Sequence, residues 1–88
     1  RLDPWSAEPH MQLGTIAESR GQIREALAEY DRAIELDPES WQAWALLYRI
    51  NYAAGRIREA RLAYDRLQEI NPLYYFPFPV PPDRETNP

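Results

Sequence analysis

His10 is the one histidine in this chain of 88 residues, and there is no cysteine. Metal coordination needs several such ligands at matched spacing, and nucleophilic catalysis needs a base beside a hydroxyl or thiol. His10 has no second histidine or thiol to work with. It falls on an apolar stripe, so it reads as a packing or interface residue. The other groups with chemical potential are charged pairs: Arg61 and Asp65 stand four apart, Glu29 and Arg32 three apart. That is the spacing of surface ion pairs on a helix, and a solvated helix face accounts for both. No carboxylate pair, nucleophile–base set or glycine-rich phosphate loop can be assembled. No catalytic, cofactor-binding or metal-binding residue is therefore assigned, and the chain is expected not to be an enzyme.

Composition narrows the partners. Net charge is −4 and the sequence pI about 4.9, so there is no basic face for phosphate neutralisation, and nucleic acid is excluded as a partner. All ten basic residues are arginine. No apolar run approaches the ~18 residues that cross a bilayer, so direct membrane insertion is not expected. The absence of cysteine removes disulfides and thiolate sites and leaves the compartment undetermined. A chain of this size is expected to form one small domain with a modest core.

The elements that must position any site follow from a repeat. Pro4, Pro38 and Pro72 lie 34 residues apart, in the settings LDP, LDP and INP. Residues 7–40 laid over 41–74 share 12 of 34 positions, among them Leu13/Leu47, Ile16/Ile50, Gly21/Gly55, the block Ile-Arg-Glu-Ala at 23–26 and 57–60, and Tyr-Asp-Arg at 30–32 and 64–66. Within a unit, His10, Leu13, Gly14 and Ala17 recur at helical spacing, as do Ile23, Ala26, Leu27, Tyr30, Ala33 and Ile34. Ser6 and Ser40 are suitable N-caps, Pro9 fits a first turn, and Gly21 and Gly55 fit left-handed C-terminal positions. Each unit is thus predicted to be two helices of about 14 residues joined by a tight glycine turn and ended at a proline.

A 34-residue helix–turn–helix unit with these positions resembles the tetratricopeptide repeat (TPR) family. With residue 7 as the first position, Leu13, Gly14, Ala26, Tyr30, Ala33 and Pro38 match the family pattern, as do Trp44, Leu47, Ala60, Tyr64 and Pro72 in the second unit. The resemblance implies an all-α fold of two full repeats and four helices: residues 1–6 as the tail of a preceding repeat, 7–40 as the first repeat and 41–74 as the second. On this reading the chain is an excerpt from a longer protein. Three positions depart from the pattern. His10 replaces a tryptophan, Tyr48 replaces a small residue and Asn51 replaces a large aromatic. Bulk exchanged between Tyr48 and Asn51 is expected to splay the second helix pair.

Residues 75–88 are expected to form a Pro-rich extended tail, disordered over 83–88. Pro77, Pro79, Pro81 and Pro82 forbid a helix there, while Tyr74, Tyr75, Phe76, Phe78 and Val80 are too apolar for a plain linker. Three roles compete: folding back as a non-helical cap, docking on a neighbouring molecule to make a homo-oligomer, or offering PVPP to a proline-binding domain.

In the family the first helix of each pair lines a concave surface, which the resemblance implies is the partner-binding face. Here that face carries Gln12, Thr15 and Ser19 from the first repeat, and Gln42, Leu46, Arg49 and Tyr52 from the second. The lysine- and asparagine-rich carboxylate clamp found in one TPR subclass is missing. Arg49 is expected to be solvent-exposed, with a carboxylate or an aromatic ring as its alternative partner. The expected function is a non-catalytic scaffold that binds a peptide or protein. The stretch LDPWSAEPHMQLG also resembles the TPR modules of O-antigen ligase or polymerase-type membrane proteins. That likeness implies an accessory role beside a glycan enzyme. Self-assembly is the third reading.

Overall fold

The computed structural model describes residues 6–73, so the expectations for residues 1–5 and 74–88, including Tyr74, Tyr75, Phe76 and Phe78, lie outside the described residues. The order is α1 (Glu8–Ser19), α2 (Ile23–Leu36), α3 (Trp41–Ala53) and α4 (Ile57–Ile70). These form two helix–turn–helix pairs, α1 with α2 and α3 with α4, and α2 packs on α3. The fold is all-α, with no strand among the described residues.

Local chemistry sets the helix ends. Gly21 and Gly55 have φ of 74° and 77°, a region that costs a side chain energy and glycine nothing. Gly21 N donates to Glu18 O and Gln22 N to Ala17 O, at 3.0 and 2.9 Å. Gly55 N to Tyr52 O and Arg56 N to Asn51 O repeat the pattern at 3.1 and 2.9 Å. Both are Schellman closures, which satisfy carbonyls that a helix end would otherwise leave bare. Pro9 occupies the first turn of α1, where its missing N–H removes no helical bond. Ser40 caps α3 as expected, accepting from Ala43 N at 3.3 Å. Ser6 does not hold the equivalent place. The N-cap of α1 is Ala7, and the Ser6 hydroxyl instead accepts from Glu8 N at 3.2 Å, one residue further out. Pro38 and Pro72 follow directly on the C-cap residues of α2 and α4, Asp37 and Asn71.

Small residues bring the helices together. Ala26, Ala33, Ala43 and Ala60 are completely buried, and Tyr30, Tyr48 and Leu67 are the largest fully buried side chains. Each of those three contributes about 1.5–3 kcal/mol of burial. In the first pair, the Tyr30 ring lies against the backbone at Gly14, where an added Cβ would fall 2.4 Å from Cε1 of the ring. In the second pair, Tyr48 holds Gly14's place and stacks obliquely on Tyr64, with centroids 5.8 Å apart. Asn51 is buried where the first pair has Ala17. Its Nδ2 donates to Leu47 O at 2.9 Å, and Oδ1 has no partner among the described residues. The second pair shows no sign of the expected splaying: it packs as extensively as the first, with both Tyr48 and Asn51 buried.

A coupled exchange also relates the two pairs. His10 Nδ1 meets Glu29 Oε1 at 2.8 Å, whereas the equivalent positions in the second pair are Trp44 and Ala63. The positions that make a polar contact in one pair carry a tryptophan and an alanine in the other. Glu29 therefore does not pair with Arg32, as its spacing led one to expect. Arg32 pairs with Glu35 at 3.0 Å, while Arg61 and Asp65 do pair, at 3.1 Å.

Candidate interaction surface

The surface is built from α1 and α3, the first helix of each pair. Gly14 and Ala17 are the buried residues of α1, and Gln12, Thr15 and Ser19 are exposed. On α3, Gln42 is exposed and Leu46, Arg49 and Tyr52 are half-buried. Leu46 and Tyr52 rest on the core cluster, and the Tyr52 ring lies 5.7 Å from that of Tyr48. An apolar side chain held this way is available to a partner without being free to collapse.

Arg49 departs from expectation, because it is not a free cation. Its guanidinium grips the Glu18 carboxylate with two bonds, Nη1 to Oε2 at 2.5 Å and Nη2 to Oε1 at 2.7 Å. The planar fork matches a carboxylate edge-on, and this geometry separates a bidentate pair from a loose surface contact. The same carboxylate accepts from the Tyr30 hydroxyl at 2.8 Å. Thr15 donates to Met11 O at 2.9 Å and sits 3.4 Å from the Tyr30 oxygen. With both hydroxyl protons already directed elsewhere, that last approach is polar proximity without a strong bond. One carboxylate thus joins α1, α2 and α3.

Electrostatics follow from this geometry. Burial alone would raise the Glu18 pKa, but the bonds from Arg49 and Tyr30 and the Arg49 charge outweigh it and hold the carboxyl below its ordinary value. Burial, then the Glu18 carboxylate it donates to, push the Tyr30 phenol up. The bond to Glu18 raises the already high Arg49 value further. At neutral pH the pair is ionised and internally neutralised, so it offers a partner little net charge.

The serine and threonine hydroxyls are also committed. Ser19 donates to Ile16 O at 2.7 Å, and Thr15 bonds its own helix as above. Gln12 and Thr15 share an open groove of about 470 Å3 with Glu8, Met11 and Ile16. Ile16 in that groove and Leu13 next to it are 47% and 49% exposed, whereas their counterparts Ile50 and Leu47 are 2% and 7% exposed. Position in the stack decides the difference, since Leu47 and Ile50 have the first helix pair to pack against. No group of three or more metal-ligating side chains occurs among the described residues, and none of their helices is long and apolar enough to cross a membrane.

Two members of this site were not legible beforehand, Glu18 and the Tyr30 hydroxyl. Arg49 stands 34 residues after Thr15, and Glu18 lies about one turn beyond Thr15. Arg49 can reach that turn only once the two pairs are stacked.

The model of the tetratricopeptide repeat matches residues 11–74. The chain belongs to the tetratricopeptide repeat family. Repeats of this family serve in general as non-catalytic protein–protein interaction modules. Comparison with curated proteins gives no significant match. This TPR chain has an internal Glu18–Arg49 pair where its own first repeat has only Thr15, so its surface chemistry is read from its own residues.

Proposed function

We propose that this TPR chain is a non-catalytic scaffold that binds a peptide or protein segment along the face of α1 and α3. The bidentate Glu18–Arg49 bridge carries the reading. It locks the two helices of that face to each other and occupies the one arginine that α1 and α3 carry. What remains for a partner is Gln12 and Gln42 as exposed amides, with Leu46 and Tyr52 as apolar contacts. Amides satisfy an extended backbone's donors and acceptors, while half-buried apolar side chains supply affinity at little entropic cost. The partner this favours is a segment of low net charge carrying an apolar or aromatic anchor. No observation among the described residues favours the glycan-enzyme accessory role.

The test is a peptide-array selection followed by titration of the best binder against the isotope-labelled chain. Leu46→Arg should weaken binding at least tenfold with unchanged helicity, and Arg24→Glu on α2 should leave it unaltered. Binding that survives Leu46→Arg but is lost on changing α2 or α4 would place the interaction on the other side and end this reading.

A further inference from the structure

Trp44, Leu47 and Asn51 recur at helical spacing on the side of α3 opposite Gln42, Leu46 and Arg49. They line a second cleft, between α2, α3 and α4, of about 250 Å3. Small-molecule sites occupy about 300–1,000 Å3, so this space suits a single side chain better than a whole ligand. Leu27 and Leu62 add apolar wall, and Asp31, Arg56 and Glu59 add charge. The internal repeat separates what the fold needs from what the cleft adds. Where Asn51, Arg56 and Leu62 stand, the first pair has Ala17, Gln22 and Ala28. Leu62 is 64% exposed, so core packing does not account for a leucine there.

Two observations show what the cleft lacks. Asn51 is 4% exposed, its Nδ2 is tied to Leu47 O, and its Oδ1 has no hydrogen-bond partner among the described residues. A buried acceptor left bare is costly, and a donor brought to it removes that cost. In the same cleft, burial and the Glu35 charge push the Asp31 carboxyl up, and the Arg56 charge offsets only part of the rise. Arg56 is itself shared, since its guanidinium lies 3.6 Å from Glu59. Two carboxylates against one arginine leave the cleft short of positive charge.

A lysine side chain fits both needs. Its compact ammonium carries three N–H donors, and its four-carbon stem covers apolar surface. We propose that this cleft receives a lysine side chain of a partner protein, its stem along Leu27, Trp44 and Leu62 and its ammonium supplying the donor and the charge that Asn51 and Asp31 lack. The ten basic residues of this chain are all arginine, so the occupant comes from outside these 88 residues. The cleft lies apart from the α1–α3 face and stands whether or not that face binds a peptide.

The experiment titrates the isotope-labelled full chain with lysine capped as its Nα-acetyl methylamide. The side-chain signals of Trp44 and Asn51 should shift saturably, while the backbone amides of Gln12 and Ser19 on α1 stay still. The same compound acetylated at Nζ keeps the stem and loses the charge, and should bind about fivefold more weakly. Asn51→Ala, which is expected to keep or raise stability, and Asp31→Asn, at an exposed position, should each weaken binding about fivefold, read at the Trp44 indole. Glu69→Gln, an exposed acid of α4 outside the cleft, should not. The proposal is overturned by the lack of a saturable shift at Trp44 and Asn51, or by a shift confined to α1. Equal binding of the Nζ-acetylated compound, or unchanged affinity in either variant, also overturns it.

Discussion

Replacing Arg49 by Met keeps much of the stem and removes the fork that binds Glu18. Replacing Glu18 by Gln keeps the shape and an acceptor for the Tyr30 hydroxyl, and removes the charge. Two unit charges about 4 Å apart attract by about 4 kcal/mol at an effective dielectric of 20. Desolvation and solvent screening offset much of this, since the side chains are 35% exposed for Arg49 and 18% for Glu18. The expected net coupling is about 1–2 kcal/mol, above an exposed pair and below a fully buried one. A double-mutant cycle by urea unfolding at low salt reads that coupling directly. For a chain of this size, each kcal/mol moves Tm by about 4–8 °C. The pair also makes stability depend on pH. Because the folded Glu18 pKa is lowered, its contribution is fully present above the ordinary glutamate range and is lost as pH falls through the folded value. The Glu18→Gln variant should therefore have a shallower acid limb. A coupling below about 0.5 kcal/mol, with acid limbs that superimpose, would refute the view that this bridge ties the helix pairs together.

Other changes test the packing. Gly14→Ala should cost about 1–3 kcal/mol in urea unfolding despite alanine's better helix propensity, because the new Cβ meets the fully buried Tyr30 ring at 2.4 Å. An unchanged midpoint would mean the ring can yield. Ser40→Ala should lose about 1 kcal/mol with the α3 cap, and Ser6→Ala less, since Ser6 is not the N-cap of α1. Equal losses in thermal melts would contradict that ranking. Asn51→Ala, which restores the residue at the equivalent place in the first pair, should be neutral or stabilising by up to ~1 kcal/mol, because Oδ1 is buried without a partner among the described residues. A loss of more than ~1 kcal/mol would show that a water or another group satisfies Oδ1.

The helix plan was legible because its signals are local. A glycine at the αL position and a serine at a cap act within one turn, and the 34-residue spacing shows the same plan twice. Side-chain fates across helices were less legible. Arg49 looked like a solvent-facing cation because helical spacing shows which face a residue occupies and not what stands opposite. Glu29 has Arg32 one turn away, yet it turns to His10 on another helix. Tyr48 and Asn51 looked like departures that would loosen the second pair. Both are buried and the second pair packs as extensively as the first, so the loosening expected from them is not seen.

By itself the sequence determined the family, the four helices and their turns, since each rests on residue type and short-range spacing. Only the tertiary structure decided what the α1–α3 face offers. Stacking one pair on the next brings Glu18 within reach of an arginine 31 residues away, turning an apparent anion hook into an internal brace. The same stacking buries Leu47 and Ile50 while leaving Leu13 and Ile16 in solvent, so identical residues at identical repeat positions differ in exposure solely through the neighbour that packs on them.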